Sequence, residues 1–200
     1  DWLDRALPDG LRAPELVAHR SDEHGVTLVL EDLTGPPPSA ALQSARKTPD
    51  PATAARLLAH FNGRRHSPRP WWSQHFLTDE FTRSSDHLET RGINRAATDR
   101  ADPRLDVLGA QIRALRREAP DQLDALMQLP HGAAHLDAYS RNLIGDGVST
   151  AIGVVDWASA GSAPIGTDQA TLFTLSVGFL DLPATDLRRL EADIVNAMLV

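Results

Sequence analysis

Three side chains within "AHLDAYSRNL" are of types that could act together: His135, Asp137 and Asn142. A fourth, Asp156, follows in "VVDWA". Asp137 offers a carboxylate able to orient or deprotonate an attacking hydroxyl. Asn142 offers a neutral amide oxygen and Asp156 an anionic one, the donor types that a hard cation such as magnesium takes. Transfer of a terminal phosphoryl group asks for little more, because a protein catalyses it mainly by positioning the hydroxyl and holding metal ions on the phosphates. Taken singly, each Asp or Asn is more often a turn or capping residue, since both bond their own backbone readily. The phosphoryl-transfer reading rests on the set, in this order and at this spacing.

Stepping outward along the chain, "LIGDGVSTAIGVVDW" predicts a hairpin turning at "GDGVS", with Asp156 at the end of its second arm. Before the loop, helices are expected around Leu105 to Arg117 and around Gln122 to Leu129, the second opened by Pro120-Asp121. Further upstream, Asp50 caps and Pro51 starts a helix whose Leu57, Leu58 and Phe61 share one face. "SPRPWWSQHFLTDEF" reads as irregular or briefly helical, its aromatic residues packing across other elements. Near the amino terminus, residues 11 to 35 predict an antiparallel hairpin, its second strand in "VTLVLEDL" and its strands separated by "SDEHG". "GPPPS" at 35 to 39 then stops regular structure and reads as a hinge. Two amphipathic helices close the chain, at about 166 to 179 and 185 to 199. The expected fold class is α+β and predominantly helical, with a short N-terminal β-hairpin and an internal β-hairpin after the loop.

The 200 residues, 42% hydrophobic and 24% charged, suffice for a sizeable core. No run approaches the roughly 20 apolar residues that a membrane span needs, and the start "DWLDRALPDG" is unlike a signal peptide. A cytoplasmic protein without a membrane partner is the expectation. The absence of cysteine excludes disulfides and thiolate metal sites. A formal charge of -7 argues against a general nucleic-acid binder, which needs a concentrated basic face, and favours a cationic small molecule as partner.

"HLDAYSRN" followed by "GVVDWASAG" resembles the catalytic and metal-binding segments of the aminoglycoside phosphotransferase and choline kinase-like superfamily, where H-G-D-x-x-x-x-N precedes I-D-W or I-D-F. The likeness continues through Gly161, Pro164 and Asp168 in "WASAGSAPIGTDQATL", and "LVLEDLTG" is similar to the family's hinge. It covers most of residues 11 to 180, with about 65 to 105 the least similar part. The resemblance implies a protein-kinase-like fold, of which this chain is the large C-terminal lobe: residues 1–35 a remnant of the small lobe with the hinge, residues 36–200 the helical catalytic lobe. It implies an ATP- or GTP-dependent transfer to a hydroxyl of an aminoglycoside, sugar, choline-like or related metabolite. Asp137 would then act on the hydroxyl and Asn142 and Asp156 would hold Mg2+. His135 would be structural, Asp168 would brace the loop, and the adenine would lie against Glu31, Asp32 and Leu33.

The chain departs from the family pattern at two places. The only glycines before Glu31 are Gly10 and Gly25, and the sole lysine, Lys47, follows the hinge, so neither a glycine-rich phosphate loop nor a strand lysine precedes it. A piece of a longer kinase is the first reading of this, inactive by itself; a catalytically inactive binding or regulatory member is the alternative. Leu136 replaces the usual glycine, which suits the loop only if its side chain points into the core. Three other features have plainer readings. His131 and His135 lack the helical context and adjacent glutamate of a zinc motif. Trp157, after a buried strand, reads as packing rather than a stacking platform. Arg64, Arg65, His66 and Arg69 read as a solvated helix end.

Overall fold

The structure is a computed structural model, described here for residues 7–33, 49–64, 66–79, 103–145, 151–180 and 184–199. Helix α1 (Pro51–Gly63) forms where its sequence predicts: Asp50 accepts from the Thr53 N–H at 2.9 Å and from its hydroxyl at 2.8 Å, and Pro51 occupies the first turn. Its apolar face buries Ala54, Ala55, Leu57, Leu58 and Phe61. Burial of a leucine or phenylalanine side chain is worth about 1.5–3 kcal/mol, so this face anchors the core. Helix α2 (Pro103–Met127) is continuous, correcting the expectation of two helices divided at Pro120. Proline removes one N–H and crowds the preceding turn. Here Pro120 is exposed, amid residues that otherwise favour helix, and one missing bond at a solvated surface does not divide it.

The described residues form three small sheets. Strands β1 (Leu11–Arg12), β5 (Leu143–Gly145) and β6 (Ile152–Val154) form one, in the order β1-β6-β5. The β5–β6 pairing is the internal hairpin expected from sequence, with Leu143 opposite Val154; its turn lies outside the described residues. The parallel pairing of β1 with β6 was not foreseen, and it ties Leu11 into the core. A second sheet joins β4 (His131–Ala134) and β7 (Gly161–Pro164), antiparallel, with Ala134 opposite Gly161. The third is the N-terminal hairpin of β2 (Leu16–Asp22) and β3 (Gly25–Leu30). Its strands reach further into "SDEHG" than expected, leaving Glu23 and His24 as the turn, with the His24 N–H donating to Asp22 Oδ1 at 2.9 Å.

Helices α3 (Thr167–Leu180) and α4 (Ala184–Met198) close the chain where predicted. Leu190 and Ile194 of α4 and Leu172 of α3 are buried, and both helices pack on α1. Residues 70–75 are irregular and 76–79 helical; Trp72 is buried while Trp71 is largely exposed. The proline-rich stretch at 35–39, expected to be a hinge, and Lys47 lie outside the described residues. No described helix is long and apolar enough to cross a membrane.

Candidate active site

The loop at 135–142 leaves β4 and enters β5, and its first residues are held from above by α3. Asp168, near the N-terminus of α3 and fully buried, accepts the His135 N–H on Oδ2 at 2.9 Å and the Leu136 N–H on Oδ1 at 2.8 Å. A carboxylate at a helix N-terminus is also favoured by the helix dipole. Asn62 of α1 adds a third donor, its Nδ2 bonding Asp168 Oδ2 at 2.8 Å and the Ala133 carbonyl at 2.8 Å. The approach of α1 to β4 requires glycine at 132: a Cβ there would stand 1.9 Å from the Asn62 carbonyl oxygen.

Leu136 then adopts φ 67, the left-handed region in which leucine is unfavourable by roughly 1–2 kcal/mol. Glycine would carry no such penalty at this position. The leucine side chain is buried in a small cluster with Ala134, Ala163 and Phe76, so it points into the core as the sequence reading required. The backbone reversal directs Asp137 away from that cluster, leaving it half-buried.

His135 joins the loop to the segment after β6 that carries Asp156. Its Nε2 lies 2.9 Å from the Val155 carbonyl, which can only accept, so Nε2 bears the proton. Its Nδ1 accepts the Asp137 N–H at 3.2 Å. The ring is therefore neutral, in the Nε2–H tautomer. Burial pushes its pKa below the ordinary 6.5, against the opposing pull of the Asp168 carboxylate, the Val155 bond and the charges of Asp137 and Asp156. Trp157 packs edge-on at 4.6 Å from the His135 ring and 5.6 Å from Phe61, and donates from Nε1 to the Val154 carbonyl at 2.9 Å. Its surroundings are those of a packing residue.

Asn142 closes the loop. Its Nδ2 donates to the Asp137 carbonyl and to Asp137 Oδ2, each at 2.9 Å, and its own carbonyl accepts the Val155 N–H at 3.0 Å. Val155 is thus bonded on both sides to the loop, through Asn142 and through His135. The next residue, Asp156, is exposed and left-handed at φ 62, opening a single 3-10 turn over Trp157–Ser159. The oxygen set is suited to a hard cation: the Asn142 amide nitrogen is committed to Asp137, which turns Oδ1 the other way, and Asp156 supplies an exposed carboxylate.

The residues expected to form the hinge, Glu31, Asp32 and Leu33, divide. The Glu31 N–H donates to the Glu15 carbonyl at 2.8 Å, and its carboxylate pairs with Arg12 and accepts the Glu15 N–H at 3.3 Å. That side chain fastens the end of the β2–β3 hairpin to β1. Leu33 lies over Gly153 of β6, its Cδ1 being 2.7 Å from where a Cβ would stand. Asp32 is exposed. The structure thus brings Leu33 to β6, which ends two residues before Asp156. His131 is not drawn to His135: its Nδ1 bonds the Leu129 carbonyl at 2.8 Å on the exposed side. Arg64, at the C-cap of α1, donates to the Leu7 carbonyl at 3.2 Å. Asn62 was missed in the sequence; its signal is a polar residue beside Phe61 on an otherwise apolar helix face.

Solved structures similar to this chain include an aminoglycoside phosphotransferase, APH(3'')-Id of Streptomyces rimosus, in complex with ADP and streptomycin: 19% identity, TM-score 0.60, over 98% of this chain and 71% of that one. A choline/ethanolamine kinase family protein of Mesorhizobium loti is similar at 19% identity and a TM-score of 0.50, over 93% of this chain and 55% of that one. An aminoglycoside 2'-phosphotransferase-IIIa variant in complex with GDP is similar at 14% identity and a TM-score of 0.51, over 98% and 68%. These likenesses show a shared kinase-like fold. No curated protein sequence matches the chain. The model of the phosphotransferase enzyme family, however, matches residues 1–197, and the chain therefore belongs to that family.

Proposed function

We propose that the protein is an ATP- or GTP-dependent O-phosphotransferase acting on a hydroxyl of a small metabolite: an aminoglycoside, a sugar, a choline-like alcohol or a relative of these. One observation carries this reading. Val155 donates to Asn142 and accepts from His135, so Asp156, the next residue, is held beside the loop in which Asn142 bonds Asp137. The streptomycin and ADP complex of the similar APH(3'')-Id supports an amino sugar and a nucleotide as the substrate classes, and the net charge of -7 supports a cationic acceptor.

In this reading the acceptor hydroxyl oxygen forms a bond to the terminal phosphorus while the bond to the departing nucleoside diphosphate breaks. Asp137 orients that hydroxyl and takes its proton late, which needs only an ordinary carboxylate because the transition state is loose. Asn142 Nδ2 holds Asp137 Oδ2 in place, and His135 holds the Asp137 backbone. Asn142 Oδ1 and Asp156 are the residues that would hold Mg2+, which when bound neutralises charge on the phosphates. The nucleotide base would lie on the hinge backbone at Glu31–Leu33, near β6. This chain spans 71% of the aminoglycoside enzyme and 55% of the choline/ethanolamine kinase family protein. With no lysine before Glu31 in the sequence, we expect the 200 residues by themselves to turn over negligibly, the phosphate cover coming from a longer protein.

The test is nucleotide-dependent phosphorylation of a panel of amino-sugar, sugar and amino-alcohol acceptors by the full-length protein. Asp137→Asn is expected to lower turnover by about 10²–10⁴-fold, the range for loss of a positioned proton acceptor. Equal turnover by that variant would remove Asp137 from its role. Absence of both turnover and nucleotide binding would instead favour a catalytically inactive binding protein.

A further inference from the structure

Asn62 sits outside the loop and outside every motif of the chain, yet it is 2% exposed and its amide reaches the centre of the loop's support. Both acceptors it faces, the Ala133 carbonyl and Asp168 Oδ2, can only accept. The amide orientation is therefore fixed, with nitrogen toward them. The consequence is that Asn62 Oδ1 is buried without a hydrogen-bond partner among the described residues. A buried, unpaired carbonyl is costly, and an apolar side chain of similar shape would avoid it. Filling space does not account for asparagine here.

We infer that Asn62 is a positioning residue, whose bond to Asp168 Oδ2 locks that carboxylate so that each of its oxygens meets one loop N–H, while its second bond ties α1 to the Ala133 carbonyl. The linkage runs from Asn62 on α1 to Asp168 on α3, and from Asp168 to the backbone of His135 and Leu136. Leu136 is the residue held at φ 67, and that reversal sets the direction in which Asp137 leaves. Without Asn62, Asp168 keeps its two loop bonds but loses the donor that fixes its rotation. The left-handed turn then competes with relaxed backbone conformations of lower intrinsic energy. The same amide also joins α1 to the end of β4 at Ala133, so the helix and the loop entrance move together. What the loop does chemically rests on the proposed function; the positioning itself does not.

The test uses amide hydrogen exchange on the whole chain, which needs neither nucleotide nor acceptor. Asn62→Leu keeps approximate shape and removes both the donor and the orphaned carbonyl. Protection of the His135 and Leu136 amides is expected to fall roughly tenfold more than that of amides in the buried stretch of α1, the scale of losing one buried hydrogen bond to a charged acceptor. His60→Gly, exposed on α1, serves as the control and should lower protection without this selectivity. A uniform loss in Asn62→Leu, matching the control, overturns the inference. If the variant does not fold, the native protein decides: both side-chain amide protons of Asn62 should exchange slowly, since each is bonded, and rapid exchange overturns the clamp. Phosphorylation assays run in parallel keep the two ideas separate. Native protein without turnover counts against the proposed function, while the exchange pattern still judges Asn62.

Discussion

The β2–β3 hairpin and the stretch from β4 to β6 both contain short strands, and they are held by opposite means. Every residue of β2 and β3 is exposed, including Val17, Val26 and Leu28, and the hairpin is specified by its own cross-strand register. The loop between β4 and β5 has weaker local preferences and one leucine in an unfavourable conformation. Even so, His135, Leu136 and Asn142 are buried and each is bonded to a residue distant in sequence. Strand propensity builds the first region. Long-range hydrogen bonds to Asp168 and Val155 build the second. The contrast teaches where disturbance should matter: contacts made across the fold carry the loop, while the hairpin tolerates change.

The sharpest break of this contrast is Asp168→Ala. It leaves the His135 and Leu136 N–H groups and the Asn62 amide without their shared acceptor, and should cost about 3–5 kcal/mol in urea unfolding. A loss under about 1 kcal/mol would show that the loop does not depend on α3. Next is a pair at Leu136. Leu136→Ala removes buried packing at about 2–5 kcal/mol, and Leu136→Gly removes the same packing while relieving the left-handed backbone. Glycine should therefore be the milder substitution by about 1 kcal/mol, the reverse of the order found in a helix. Equal or worse destabilisation by glycine would mean that the φ of 67 carries no strain.

A smaller effect follows from His135. Its folded pKa lies below 6.5 because burial disfavours the imidazolium, although Asp168, Asp137 and Asp156 all favour it. Between 6.5 and that lower value the unfolded chain binds a proton that the folded chain does not, so stability falls as pH drops through this window and is fully present above it. Protonation would also turn Nδ1 from acceptor to donor, facing the Asp137 N–H. Urea midpoints of native protein and His135→Gln across pH 7 to 5 check this; the variant should show the shallower dependence. The smallest effect belongs to the hairpin, where Val26→Thr or Leu28→Thr should shift stability by no more than about 0.5 kcal/mol. A larger loss would mean that the hairpin face is covered in the native protein.

Much of this was legible in the sequence. Asp50-Pro51 marked the start of α1, and Leu57, Leu58 and Phe61 marked its buried face, because capping and a 3.6-residue period are local properties. The two extended stretches within residues 11–35, separated by the polar "SDEHG", likewise marked the hairpin. The set His135, Asp137, Asn142 and Asp156 stood out by order and spacing. Less legible were β1, β4 and β7, which are two to four residues long. "HGAA" and "GSAP" have no strand propensity of their own and become strands only by pairing with each other. The continuity of α2 through Pro120 was misread because a local rule was applied without knowing that the residue faces solvent.

By itself, then, the sequence determined which side chains could form a phosphoryl-transfer site and which segments could bury an apolar face, since both depend on residue type and spacing along the chain. Only the tertiary structure decided that Val155 is bonded on both sides to the loop, that Asn62 reaches Asp168, and that Leu136 can be held at φ 67 with its side chain in the core. Those contacts join residues that are far apart in the chain. No local preference specifies them, and they persist because buried polar groups must find partners wherever the packed helices and strands bring them.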